Sequence, residues 1–156
     1  MTQDIAAEIV AEDLLYQTGK AVLTENDDLF LSCVHLPYSL ETSTGARLIT
    51  SRSEIICVLD DLRNYMKREG YVDFARTVVE AEFIDSDTIG STHVSLMTTA
   101  SGKAKRNPYP VYSIIRRFGR NWKMVSSLYA ILDSDEHNAA LLSKTSTDPV
   151  FSKKDA

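Results

Sequence analysis

The chain has 156 residues, 44% apolar and 25% charged, which suits one globular domain with its own core. A net charge of −5 argues against a general nucleic-acid binder, which carries a basic face. No apolar run approaches the roughly 18 residues of a membrane span, and the acidic start MTQDIAAEIVAEDLL lacks a signal-peptide pattern. Cys33 and Cys57 form no CxxC pair. The expectation is a cytoplasmic protein with buried, reduced thiols and neither nucleic acid nor membrane as partner.

Residues 4 to 23 place Ile5, Ala6, Ile9, Val10 and Leu14 at three- and four-residue spacings, which predicts an amphipathic helix. Thr24-Glu25-Asn26-Asp27 fits a capping box for a second helix over about 26 to 35, ended by Pro37. A hairpin follows, Tyr38 to Thr42 and Arg47 to Thr50 around Ser43-Thr44-Gly45. Ser51-Arg52-Ser53-Glu54 is a second capping box, opening a helix with Ile55, Leu59, Leu62 and Met66 on one stripe. Lys67 and Arg68 suit its C-terminal end and Gly70 its left-handed cap.

After Gly70 the residues favour strands: 72 to 84, 89 to 99, 110 to 118 and 122 to 132, separated by short turn-forming segments that make antiparallel neighbours. Thirteen extended residues span roughly 43 Å, so a sheet of such strands twists and curls, with helices filling its hollow. The predicted fold class is α+β, a curved antiparallel sheet wrapped around N-terminal helices. Residues 1 to 134 form one cone-shaped domain, and 135 to 156 a short C-terminal helix and frayed tail.

This order, ending in a strand written Arg116-Arg117-x-Gly119-x-x-Trp122-Lys123, resembles the nuclear transport factor 2-like superfamily, the cystatin-like cone, over roughly residues 5 to 132. The resemblance implies a pocket between sheet and helices for a small apolar or aromatic ligand, and a homodimer through the outer sheet face. Members include polyketide cyclases, ketosteroid isomerases, dehydratases, aromatic-ring dioxygenase small subunits and non-catalytic binding modules.

Two pairings of the last hairpin are open. A loop at Gly119 to Asn121 sets Phe118 opposite Trp122 and Arg117 opposite Lys123, pointing Tyr112, Ile114, Arg116 and Trp122 into the cavity. A two-residue loop sets Arg117 beside Trp122 and strands a charge inside. The first segregates charge and is preferred.

On that reading Arg116 anchors an anionic ligand or orients an acid, unless it is a rim ion pair. By resemblance to the isomerases, Glu41 is the candidate proton-shuttling base, with Tyr16 on the first helix holding an oxyanion; no late-strand acid completes that set. His93, in STHVSLM, is the candidate acid/base of a dehydratase-like site, with His35 beside it. Tyr38, Tyr65, Tyr109, Tyr112 and Tyr129, with Trp122, suit a flat apolar ligand. The bland alternatives are an exposed Glu41, a hydrogen-bonded structural His93, and tyrosines that are simply core or interface. No GxGxxG, P-loop, HExxH or GxSxG occurs, and the three histidines lack metal-ligand spacing, so no cofactor and no metal are expected. Function divides between a cofactor-free acid/base enzyme, a ligand-binding or dimerisation module, and a dioxygenase small-subunit-like protein.

Overall fold

Amphipathic spacing at the N-terminus and long β-branched runs after Gly70 divide the chain into a helical front and a sheet behind. A computed structural model describes residues 2–143. The elements are α1 (Thr2–Leu23), α2 (Asp27–Cys33), β1 (Val34–Thr42), β2 (Gly45–Ile49), α3 (Arg52–Glu69), β3 (Tyr71–Asp85), β4 (Thr88–Thr99), β5 (Tyr109–Phe118), β6 (Asn121–Tyr129) and α4 (Asp135–Leu141). The expected tail from residue 144 onward lies outside the described residues. No helix among the described residues is long and apolar enough to cross a membrane.

The six strands form one sheet in the order β2-β1-β6-β5-β4-β3. Four of the five contacts are antiparallel, and β1 runs parallel to β6. The sheet is therefore mixed, a correction to the all-antiparallel expectation. A hairpin from the front half joins the edge of the back-half meander, and the helix and strands between them permit either direction. Register shifts interrupt β3 at three places and β6 once. Such bulges bend a strand and increase its twist, letting a long sheet curl around a small core.

Local chemistry explains the helix ends. The Glu54 N–H donates to Ser51 Oγ at 3.3 Å, while Glu54 Oε1 accepts from the Thr50 N–H at 3.2 Å and the Thr50 hydroxyl at 2.9 Å. Glu54 is held down at about 2, chiefly by the Thr50 hydroxyl. Gly70, at φ 77°, closes α3 by donating to the Lys67 and Met66 carbonyls. Ile55, Leu59, Leu62 and Met66 are all buried, each stabilising the fold by about 1.5–3 kcal/mol on transfer from water. The earlier capping box differs: Asn26 is the cap of α2, and Thr24 bonds back to the Lys20 carbonyl. α2 also ends sooner, at Cys33, so His35 lies on β1. Cys33 is buried, but Cys57 is exposed on α3, correcting the expectation of two buried thiols.

Helix α1 packs on β3, and α4 packs on α3. Ala140 and Leu141 join the core cluster that lines the concave face of the sheet.

Candidate functional site

The face each strand turns inward decides which side chains can meet a ligand. On β4 the buried residues that alternate inward are Ile89, Ser91, His93, Ser95 and Met97, with Thr88 and Gly90 buried as well; on β5 the buried set is Tyr109, Val111, Ser113 and Ile115. The last hairpin carries the two-residue loop, with Phe118 opposite Asn121, Arg117 opposite Trp122 and Arg116 opposite Lys123. Gly119 takes φ 66° at its first position, where a tight hairpin requires a positive angle. The preferred three-residue loop is thus replaced by the pairing first set aside. The charge it was expected to strand is not stranded: Arg117 sits at the strand end, half-exposed, and its guanidinium holds Asp87 Oδ1.

This inversion moves several candidates. Arg116 and Tyr112 lie on the outer face, both exposed. Glu41 is exposed on β1, between Ala46 and Leu128 in register. Tyr16, 68% exposed, faces a surface groove between α1 and β3. His35 stacks on Phe118 at 4.0 Å, far from the partnership with His93 that was expected of it. Trp122 is partly buried on the inner face, edge-on to Phe83 at 5.9 Å. Of the candidates, Tyr38 and His93 reach the deep interior, 3% and 2% exposed.

The interior holds a different group. Thr18, Tyr38, Arg76, Ser95, Tyr109, Tyr129 and His137 line a cavity of about 50 Å³, otherwise walled by apolar side chains including Phe30, Leu59, Phe74 and Met97. That is space for a few waters. The registers explain the convergence: Arg76 pairs with Ser95, and Ser95 with Tyr109. Tyr129 joins from β6, its ring 6.5 Å from that of Tyr109. The Tyr38 hydroxyl donates to Ser127 Oγ at 2.6 Å, and Ser127 lies 2.9 Å from Ser113 Oγ.

Burial sets the electrostatics. It pushes Tyr38, Tyr109 and Tyr129 up, so all three are neutral hydroxyls at physiological pH. It pulls His137 down to about 4, and His93 to about 3 with help from the Arg76 charge. Both imidazoles are uncharged near neutrality. His137 is stacked on Tyr65 at 4.8 Å and edge-on to Tyr109 at 5.2 Å. His93 Nε2 is buried without a hydrogen-bond partner. No Asp or Glu lines the cavity, and Arg76 is its sole charge among the described residues.

Tyr109 and Tyr129 were among the tyrosines expected to line a pocket; Arg76, Ser95 and His137 are the site residues that sequence reasoning missed. Arg76 had a signal: in Phe74-Ala75-Arg76-Thr77-Val78 it shares strand parity with two apolar residues that face inward. His137 had none, since a polar DSDEHN segment reads as solvent-facing. Among the described residues no three His, Cys, Asp or Glu side chains gather as metal ligands do.

No protein-family model matches the sequence, and no curated protein matches it. Solved structures do. A nuclear transport factor 2-like protein with a cystatin-like fold from Novosphingobium aromaticivorans is similar at TM-score 0.63 and 17% identity, over 88% of this chain and 90% of that one. A domain of unknown function with a cystatin-like fold from Nostoc punctiforme gives 0.64 and 12%, over 96% and 93%. A nuclear transport factor 2-like protein of unknown function from Shewanella oneidensis gives 0.57 and 12%, over 83% and 98%. The fold is the nuclear transport factor 2-like cone. At such identities the likeness is one of architecture, and nuclear transport factor 2-like cones host unrelated functions, so the chemistry has to be read from the Arg76 cavity.

Proposed function

We propose that this is a small-molecule pocket protein, taking a small organic ligand between the helices and the concave sheet. The observation that carries the reading is the polar row Arg76, Ser95, Tyr109, Tyr129, set into an otherwise apolar cavity. A few convergent polar groups among apolar walls are the usual make-up of a ligand site. The test is a thermal-shift screen with small aromatic and carbonyl compounds. Stabilisation that is lost in Leu59→Phe, which fills the cavity, supports the reading. Null shifts throughout, in a protein that unfolds cooperatively, overturn it.

A second reading is a cofactor-free acid/base enzyme of the cyclase, isomerase or dehydratase kind. One observation favours it: the neutral His137 imidazole lines the same cavity as Arg76 and the tyrosines, which could hold a developing oxyanion. An imidazole held at about 4 is a weak base for work near neutrality, so binding leads. A base role for Glu41 from the outer face and a dioxygenase-subunit role have no feature of the site to carry them. A cytoplasmic location remains part of the proposal, supported by the free thiols.

A homodimer through the outer sheet face is likewise proposed. Ile84, Tyr112 and Leu128 support it: Leu128 pairs with Tyr112, and Tyr112 and Ile84 both crowd Gly90. All three are exposed apolar side chains. Sedimentation velocity should give a dimer for the native chain and a monomer for Tyr112→Glu; a monomeric native chain at high concentration would sink this proposal.

A further inference from the structure

Two arginines are drawn inward in this protein, and they are treated differently. Arg63 is satisfied on all sides: its Nε and Nη2 donate to the Val22 and Ala21 carbonyls at 3.0 Å each, and its Nη1 to Asp27 Oδ1 at 2.8 Å. It ties down the end of α1 with its charge neutralised. Arg76 has no carboxylate within ion-pair distance among the described residues. Among the described residues only its Nη1 is hydrogen-bonded, to Thr18 Oγ1 at 2.7 Å and the Leu15 carbonyl at 3.2 Å, and its guanidinium carbon lies 5.2 Å from the Phe74 ring centre. Arg76 is partly buried, open on one side to the α1–β3 groove; drawing even part of a guanidinium out of water without a counter-charge is costly, and no ion pair offsets that cost here.

The free side of Arg76 has a particular shape. With Nη1 held by α1, Nε–H and Nη2–H are left, and these form the parallel pair that grips a carboxylate with two hydrogen bonds. The groups around it are donors without negative charge. The Tyr129 hydroxyl has no hydrogen-bond partner among the described residues, and the Tyr109 hydroxyl is shared with Ser95 across the β4–β5 pair. His93, 2% exposed with its Nε2 unpartnered, lies on the same face of β4, two residues from Ser95. The surface groove that also reaches Arg76 contains Glu8, Glu12 and Asp73, yet none of them pairs with it.

We propose that the ligand of the cone is a small organic monoanion, a carboxylate, gripped by Arg76 through Nε and Nη2 and hydrogen-bonded by Tyr129 and Tyr109. This rests on the pocket reading above and names its ligand class. The cavity of about 50 Å³ admits a short-chain acid as it stands. A ring-sized acid enters only if Phe74 or Arg76 shifts toward the α1–β3 groove that both also line.

The experiment uses size-matched acid and amide pairs on the full chain: acetate with acetamide, propionate with propionamide, benzoate with benzamide. Ionic strength is balanced with potassium chloride, and binding is read by thermal shift and calorimetry. At least one acid is expected to bind about tenfold or more tightly than its amide, the loss typical of one charge-assisted grip. Arg76→Gln should abolish that preference, and Arg76→Lys, which keeps the charge but not the fork, should retain part of it. Equal binding of acid and amide in every pair, an acid shift matched by chloride alone, or an undiminished acid preference in Arg76→Gln each overturns the proposal while leaving a neutral-ligand pocket standing. Absence of binding by every acid, amide and screened carbonyl compound overturns both. If Arg76→Gln does not fold, the acid-to-amide ratio on the native protein decides alone.

Discussion

Arg117 stands across the last hairpin from Trp122, its guanidinium carbon 5.8 Å from the ring centre, with Nη2 2.5 Å from Asp87 Oδ1. One cation thus closes two hairpins at once: it covers the indole at the end of β5 and β6 and ties down the turn between β3 and β4. Both contacts are partly exposed, so each is expected to couple by about 0.5–1 kcal/mol in double-mutant cycles. Raising salt should erase the Arg117–Asp87 coupling and spare most of that between Arg117 and Trp122. Equal salt sensitivity of the two would show that the ring contact contributes nothing of its own.

The two buried histidines make a pH prediction. His93 and His137 are held at about 3 and about 4, well under the ordinary value near 6.5. Below about pH 6.5 the unfolded chain takes up protons that the native state refuses, so native stability falls as pH falls toward 4. The slope is about 1.4 kcal/mol per pH unit for each histidine. Urea unfolding at pH 7, 6 and 5 should show this decline, and His137→Phe, which keeps the stack on Tyr65, should remove about half of it. A flat profile in the native protein would mean that one or both imidazoles are solvated.

Glu54 acts in a lower window. Its folded value of about 2 lies below the ordinary value of 4.5, so its stabilisation is complete above about pH 4.5 and is lost as pH falls toward 2. Glu54→Ala is expected to cost about 1–2 kcal/mol at pH 7, through the lost cap and the lost Arg47 contact at 3.2 Å. The gap between variant and native protein should narrow progressively from pH 5 to pH 2.5. A constant gap would assign the loss to contacts that do not depend on the carboxylate's charge, since Ala is if anything the better helix former.

Gly90 is a spatial requirement on the outer face. A Cβ there would lie 2.5 Å from the Tyr112 hydroxyl oxygen and 3.2 Å from Ile84 Cδ1. Gly90→Ala should therefore destabilise by about 1 kcal/mol as overpacking, less than in a closed core because Tyr112 is half-exposed and can swing. In a Tyr112→Ala background the same substitution should be neutral or favourable, since Ala suits a strand better than Gly. An unchanged cost in that background would place the strain in the backbone.

Thiol chemistry separates the cysteines. Cys57 is exposed on α3, whereas burial raises the Cys33 thiol. A disulfide reagent should titrate one equivalent quickly in the native protein and the second only with unfolding. Rapid reaction of both would indicate local opening of α2.

Much of the fold was legible because it is written in local chemistry. The 3.6-residue spacing of Ile55, Leu59, Leu62 and Met66, the Ser51–Glu54 box and the Gly70 cap delimit α3 with no reference to the rest of the chain. The long strands after Gly70 fall within a few residues of their expected bounds, because β-branched runs separated by turn residues have little alternative. Element order then suffices for the cone.

The site was not legible in the same way. Period-two alternation tells which residues share a face but not which face is concave, and a one-residue change in hairpin loop length inverts the assignment. Here the two-residue turn at Gly119, with the register shift between Ile114 and Ile115, turned Tyr112 and Arg116 outward and Tyr109 and Tyr129 inward. The charge rule that favoured the longer loop failed because a partner far along the chain, Asp87, was waiting for Arg117. Sequence alone thus determined the elements, their order and the curvature that long strands impose. Only the tertiary structure decided that Arg76 reaches the hollow without a carboxylate partner while Arg63, buried against the end of α1, has one, because a counter-charge is set by distances between segments many residues apart.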